Sequence, residues 1–291
     1  MIIIKKYSVL LIFLLGLSAC TNKMAYNNLD WIATWYVDDY VSLTDTQEEE
    51  FEDVINAFVA WHRKSELPNY ISQIKRIKVD IKLGVTSEHI HRYTDILREY
   101  VNITLVQLTP QIAEIAYTLS AKQVKAFLTE VEKRNLNRIE KTQAQSASER
   151  DENRLEKITS RIESFVGDLN REQRNLLAQT NQELLPTFEY WIAFRRAWAA
   201  SIQEAYQVRD RLLASEGGNP EEAKAAFNQL LSQVILDTNI LRSEAHLALL
   251  AHNRTIWAGS MEKLMASLSA KQLKALNNKL NETIDDLQAL I

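Results

Sequence analysis

Five histidines are the side chains of this sequence best suited to bind a metal ion or move a proton. His89 and His91 are two residues apart in a predicted helix, so their side chains diverge by about 200° and cannot share one ion. His246 and His252 diverge as well, and the sequence has no H-E-x-x-H motif. We therefore predict no metal site and no cofactor.

Groups for nucleophilic or acid–base catalysis are equally scarce. The sequence contains no G-x-S-x-G motif and no phosphate-binding loop of the G-x-x-x-x-G-K-[ST] type. Asp38 and Asp39 could form an acid–base pair, but neighbouring residues on a helix point apart, and a solvated helix edge explains them more simply. We therefore expect a protein that is not an enzyme.

The N-terminal segment predicts covalent chemistry of another kind. Lys5 and Lys6 precede an apolar run over residues 7–17, which is too short to span a bilayer but has the length of a signal-peptide core. The run leads into the string L-S-A-C, whose last residue, Cys20, is the only cysteine. The string resembles the lipobox of bacterial lipoproteins at every position. The alternative is an ordinary signal peptide followed by a chance cysteine.

The lipobox resemblance implies that Cys20 carries a diacylglycerol, that residues 1–19 are removed and that the new amine is acylated. Cys20 and the polar residues up to 28 would then form a tether that reaches at most about 28 Å. In such lipoproteins an aspartate after the cysteine favours the inner membrane, and here that residue is Thr21. The resemblance therefore implies attachment to the periplasmic face of the outer membrane.

Composition favours helices in the rest of the chain. Glycine and proline contribute only 6 and 4 of 291 residues, and β-sheets and phosphate-binding loops need many such turn residues. A hydrophobic fraction of 46% can fill a core. A net charge of −4 with interspersed signs offers no basic surface for nucleic acid. We therefore predict an all-α protein that binds no nucleic acid.

Apolar residues recur at the helical period from residue 29 onward. This pattern predicts an elongated multi-helix bundle over residues 29–291, with long, proline-kinked helices and room for two lobes. The predicted helices are 29–41, one through Phe51 and Trp61, 68–84, 86–118 with a kink or break at Pro110, 120–166, 171–216 bent at Pro186, 219–266 and 270–289.

Residues 133–154 depart from this pattern. Leu136 and Ile139 are the only large apolar residues in the window, so a helix over its whole length could not bury a face. The window is either a solvated helical arm, which could dock a partner, or a loop that joins two helices.

Four predicted helix starts share one spelling, in which a leucine precedes a capping residue and a glutamine follows three positions later. The pairs of cap and glutamine are Thr44 and Gln47, Ser120 and Gln123, Asn170 and Gln173, and Ser269 and Gln272. Each fits a capping box, in which the cap oxygen and the glutamine satisfy two backbone N–H groups. The spelling also resembles the L-T-x-x-Q motif of small helical periplasmic chaperones and their stress-sensing relatives, but its irregular spacing does not indicate a repeat.

The most distinctive local cluster is Trp61, His62 and Arg63 with Glu66, just before Pro68. Basic residues suit the C-terminal end of a helix that Pro68 prevents from continuing, so a structural role can explain the cluster. Trp and Arg also dominate interface hot spots, which makes the cluster our candidate binding site. Because Trp61 falls on the apolar stripe of its helix, we expect it to be buried and Arg63 to point outward.

Several of these strings together resemble a family of bacterial lipoproteins whose domain has no known function. They are the lipobox, the run W-Y-V-D-D-Y at residues 35–40, and W-H-R-K followed by E-L-P at residues 61–68. The resemblance covers roughly residues 17–180 and implies a helical fold and lipid attachment. We expect a non-catalytic, lipid-anchored cell-envelope protein that binds an unidentified envelope component. The alternative is a periplasmic chaperone or stress sensor that uses an apolar helical face.

Overall fold

The structure is a computed structural model that describes residues 24–291; the predicted signal peptide and Cys20 lie outside this range. Residues 29–291 form eleven α-helices and one short 3-10 helix, and the described residues contain no β-strand. The prediction of an all-α multi-helix bundle is confirmed. The helices are α1 (Leu29–Asp38), α2 (Asp45–Ser65), α3 (Leu67–Leu83), α4 (Ser87–Thr118), α5 (Ala121–Gln143), α6 (Ala147–Val166), α7 (Arg171–Glu183), α8 (Phe188–Ala214), α9 (Pro220–Leu236), the 3-10 helix (Thr238–Leu241), α10 (Glu244–Ala266) and α11 (Ala270–Gln288).

The long helix α4 connects the parts of the bundle. Its 32 residues extend about 48 Å and pack against α2, α9 and α10. The helix continues through Pro110, so the predicted interruption does not break it. Pro110 has no N–H to donate to the Val106 carbonyl one turn earlier. Val106 is exposed, so this carbonyl lies on the solvent side of the helix.

Three apolar clusters form the core of the described residues. The largest lies between α3, α6, α7, α10 and α11, around the fully buried Leu177. The second lies between α4, α5, α8 and α9, around the fully buried Phe227. The third is small and packs α1 against α2 and Ile115 of α4. Helix α4 reaches all three, since Tyr100 borders the first cluster and Ala113 belongs to the second.

The predicted helix 120–166 is two helices, α5 and α6, joined by residues 144–146. The polar window 133–154 therefore contains a short turn between helices. The turn ends in a capping box, because the Ser146 hydroxyl accepts from the Glu149 N–H and the glutamate reaches back to the Ser146 N–H. Since this box uses glutamate, it did not match the glutamine spelling.

Two further predicted helices are interrupted. The predicted bend at Pro186 is a loop between α7 and α8, since proline removes an N–H that a continuing helix would need. The predicted helix 219–266 consists of α9, the 3-10 helix and α10, and the Ser243 side chain caps the start of α10. The predicted start at Asn219 is confirmed, because its side chain accepts a hydrogen bond from the Glu221 N–H at 3.0 Å. None of the helices in residues 29–291 has both the length and the hydropathy that crossing a bilayer requires.

Candidate functional site

The predicted binding cluster lies where α2 passes directly into α3, a region of residues 61–70 that we call the α2–α3 corner. The Glu66 N–H donates to the His62 carbonyl at 3.0 Å, and the Tyr70 N–H donates to the Glu66 carbonyl at the same distance. Pro68 lies in the first turn of α3, where a missing N–H costs no helical hydrogen bond. Backbone hydrogen bonding therefore continues through the corner and fixes the side chains around it.

His62 is the buried centre of the α2–α3 corner, with 5% of its surface exposed. The Tyr26 hydroxyl lies 2.7 Å from its Nδ1, and the Tyr70 hydroxyl lies 3.1 Å from its Nε2. A neutral imidazole carries one N–H, so one hydroxyl accepts from the ring and the other donates to it. Burial disfavours the charged form and lowers the pKa of His62 to about 4. The ring is therefore neutral near pH 7 and uses both nitrogens to hold tyrosines.

The two tyrosines around His62 are also buried. Burial raises the pKa of Tyr26 to about 12 and raises the pKa of Tyr70 well above its ordinary value. Both hydroxyls therefore keep their protons near pH 7. The Tyr70 ring lies 4.7 Å from the Tyr100 ring of α4, measured between centroids. A continuous set of rings thus links the N-terminal segment through α2 and α3 to α4.

Tyr26 is the point at which the N-terminal segment enters the core. It belongs to the largest apolar cluster, together with residues of α3, α7, α10 and α11. The tether predicted for residues 20–28 therefore meets the core at Tyr26, before its predicted end. Tyr26 lies six positions after Cys20, and a fully extended chain over that distance spans at most about 21 Å.

The four predicted binding residues differ in exposure. His62 and Glu66 are each 5% exposed, whereas Trp61 and Arg63 keep accessible surface. The expectation that Trp61 is buried is wrong, because the buried stripe of α2 runs from Phe58 to His62, one position further along the helix. A partner at this corner can therefore contact Trp61 and Arg63, while the buried His62 ring packs against the Trp61 ring from inside.

Arg63 and Glu66 have different surroundings. Arg63 donates from Nη2 to the Asn27 Oδ1 at 2.6 Å, and its guanidinium lies 5.3 Å from the centre of the Tyr26 ring, within cation–π range. The N-terminal segment is thus held to the corner at its surface as well as through His62. The buried Oε2 of Glu66 has no hydrogen-bond partner among the described residues.

Helix α1 presents a second aromatic surface close to the corner. Its inner side packs on α2 in the third apolar cluster. On its outer side Trp31 and Trp35 are 66% and 61% exposed, and their i, i+4 spacing places them on one face, which we call the outer stripe. Tyr36 beside them and Met24 in the preceding helical turn are also exposed. Grouped exposed aromatic residues of this kind mark interaction surfaces.

Arg134 of α5 fixes the chain just after α1. Its guanidinium donates to the Asp39 carboxylate at 3.1 Å and lies 4.2 Å from the centre of the Tyr40 ring. Asp38 is exposed on the helix end. Asp39 is therefore held in an ion pair with Arg134.

All four predicted glutamine capping boxes are present. The structure also joins them in two pairs, which the sequence did not reveal. In the first glutamine pair, Gln123 donates from Nε2 to the Gln47 Oε1 at 2.7 Å. In the second glutamine pair, Gln173 and Gln272 donate to each other, at 3.1 and 2.8 Å. Helix starts that are far apart in sequence are thus bonded to one another.

The two glutamine pairs follow one plan. Each glutamine amide also donates to the backbone carbonyl two residues before its partner's cap. These bonds run from Gln47 to Thr118, from Gln123 to Ser42, from Gln173 to Ser267 and from Gln272 to Asp168. The sequence indicates this pairing only in part: it shows the repeated boxes but not which of them are bonded to each other.

Two of the other histidines serve local structure. The His89 Nδ1 accepts from the Thr86 N–H in a capping box at the start of α4. His246 is buried against the Tyr190 ring, and burial lowers its pKa. Among residues 24–291, no three His, Cys, Asp or Glu side chains are grouped in a way that could hold a metal ion.

Comparison with known proteins gives one match. A family model described as a family of unknown function, DUF6279, matches residues 39–212. The match covers the α2–α3 corner and the first three glutamine boxes, and it begins after Cys20 and the outer stripe. No curated protein and no solved structure matches the chain.

Proposed function

This chain belongs to the DUF6279 family of unknown function, and we propose that it is a lipid-anchored cell-envelope protein that binds another envelope component. The observation that carries the proposal is the burial of Tyr26 six residues after Cys20. The lipobox-like string supplies the attachment chemistry, and Tyr26 joins that point to the folded bundle by a very short link. Several acyl chains would anchor such a protein far more firmly than one reversible lipid.

The short link supports a specific placement of the binding surface. A chain of at most about 21 Å between Cys20 and Tyr26 keeps the α2–α3 corner near the membrane. Of the four predicted binding residues, Trp61 and Arg63 keep accessible surface there, and both are types that dominate interface hot spots. The partner in this proposal is an envelope component that meets the protein at the membrane surface. Thr21 after the cysteine favours the periplasmic face of the outer membrane.

The hydrogen bonds and ion pairs of the polar side chains support a binding role without catalysis. His62 is neutral near pH 7, and both its nitrogens hold tyrosine hydroxyls. Asp39 is paired with Arg134. The glutamines of the chaperone-like spelling are used inside the bundle, where Gln173 is 1% exposed. The spelling is therefore explained by helix capping and pairing.

Replacement of Cys20 tests the anchor. Cys20→Ser should abolish labelling by a palmitate analogue and move the protein from the membrane fraction to the soluble fraction. Thr21→Ser is the matched control and should keep both the label and the outer-membrane location, whereas Thr21→Asp should shift the protein to the inner membrane. Unchanged membrane association of Cys20→Ser would overturn the proposal.

A further inference from the structure

The outer stripe of α1 has no role in the fold described above. Trp31 and Trp35 point away from α2, and about two-thirds of each side chain is exposed. Trp is a large, mainly apolar side chain, and a pair of them on one exposed helix face is unfavourable in water. Something of matching chemistry is expected to cover this face.

The position of α1 along the chain limits what that can be. Helix α1 starts three residues after Tyr26, which is fixed in the core beside His62. Tyr26 lies at most about 21 Å from Cys20 by an extended chain. Met24, which is exposed in the turn before α1, is closer still. If Cys20 carries lipid, the outer stripe is therefore held beside the surface of the bilayer.

We propose that the outer stripe of α1 inserts into the headgroup region of the membrane in which Cys20 is anchored, an inference that rests on the proposed lipid attachment. Trp and Tyr concentrate at membrane–water interfaces because the rings enter the boundary of the acyl chains while the indole N–H or the phenol O–H stays with polar headgroups. Trp31 and Trp35 present this chemistry together on one face of α1. An interfacial helix needs no membrane span.

Polar contacts beside both ends of α1 hold the helix to the protein and leave the outer stripe on its outer side. The acidic end of α1 is held to the protein, since Arg134 of α5 binds Asp39. Just before the opposite end, Arg63 holds Asn27 to the corner, and Met24 is exposed. The lipid and the aromatic rings would then contact the bilayer at two points and restrict rotation of the bundle about its tether.

Fluorescence of the lipidated chain in vesicles tests this contact. The protein is reconstituted into phosphatidylethanolamine and phosphatidylglycerol vesicles, with and without brominated acyl chains that quench nearby tryptophans. We expect quenching in the wild type and its loss in Trp31→Phe/Trp35→Phe. Trp257→Phe, which removes a partly buried tryptophan of α10, is the matched control and should remain quenched. Both replaced rings of the double variant are exposed, so its melting temperature should not change.

A second variant tests whether the contact is confined to α1. Leu83 is 80% exposed at the far end of α3, thirteen residues beyond Tyr70. Leu83→Trp in the Trp31→Phe/Trp35→Phe background should add a tryptophan that brominated lipids do not quench. Equal quenching of this new tryptophan, or unchanged quenching in the double variant, would overturn the membrane contact while leaving the lipid anchor intact. A wild-type chain without lipid would instead overturn the anchor and, with it, this inference.

Discussion

Gln173 and Gln272 form a closed pair in which each side-chain amide donates to the other, although 99 residues separate them. Their oxygens also accept from the N–H groups of their own caps, Asn170 and Ser269, at 3.0 Å each. Their remaining N–H groups donate to backbone carbonyls. Both amides thus use every donor and two acceptor positions inside the protein, which fixes the start of α7 against the start of α11.

The second glutamine pair should contribute a measurable coupling energy. Gln173→Ala and Gln272→Ala should each lower the free energy of unfolding by about 1–3 kcal/mol, because each removes the bonds to the other buried amide, to a backbone carbonyl and to the N–H of its own cap. In a double-mutant cycle the losses should be non-additive by about 0.5–3 kcal/mol. Glu149→Ala, in an exposed box outside the two glutamine pairs, is the control and should cost less. Additive losses in urea unfolding would show that the pair is not a unit.

The caps themselves should contribute through their hydroxyls. Ser120→Ala and Ser269→Ala should each lower stability by about 0.5–2 kcal/mol without changing the helical content, since each removes one capping hydrogen bond. Thermal unfolding followed by circular dichroism measures both quantities. Should both variants melt like the wild type and yet fail to suppress aggregation of an unfolded client protein, the chaperone interpretation of the spelling would replace the capping one.

His62 should make the protein less stable in mild acid. Its pKa in the fold is about 4, below the 6.5 of an exposed histidine, so between these values the unfolded chain takes up the proton more readily. The free energy of unfolding is therefore highest above pH 6.5, where His62 is neutral in both the folded and the unfolded chain. It decreases by up to about 3 kcal/mol as the pH falls toward 4. In His62→Gln, the free energy of unfolding measured in urea should change less with pH across this range. The exposed His252→Gln should leave the slope unchanged, and an equal slope in both variants would contradict the assignment.

Variants of Trp61 and Arg63 in the α2–α3 corner should separate binding from stability. Arg63→Ala removes one exposed hydrogen bond and one cation–π contact, so we expect a loss below about 1 kcal/mol and a clear fall in partner capture by crosslinking in native envelopes. Because Trp61 is only partly buried, Trp61→Ala should cost less than the roughly 3–5 kcal/mol of a core aromatic residue. If Arg63→Ala instead unfolds the bundle and capture falls only in proportion, the corner has a structural role alone.

The sequence predicted best those features that depend on neighbouring residues. The glutamine boxes could be identified because cap and glutamine are three residues apart. The sequence predicted poorly the features that depend on contacts between residues far apart in the chain. The helical period allowed either Trp61 or His62 on the buried face. His62 is the buried one because the hydroxyl of Tyr26, 36 residues away in the sequence, forms a hydrogen bond with one of its ring nitrogens. The glutamine pairs were missed for the same reason.

The packing of α3 on α11 has a consequence for biosynthesis. Leu67, Ile71 and Ile74 of α3 share the largest cluster with Leu280 and Ile284 of α11. The ribosome completes α3 more than two hundred residues before it reaches the end of α11. Throughout that interval the side of α3 that packs on α11 lacks its partner helix, and exposed apolar surface makes a nascent chain prone to aggregation. We therefore expect a chain that ends before α11 to aggregate more readily than the full-length chain.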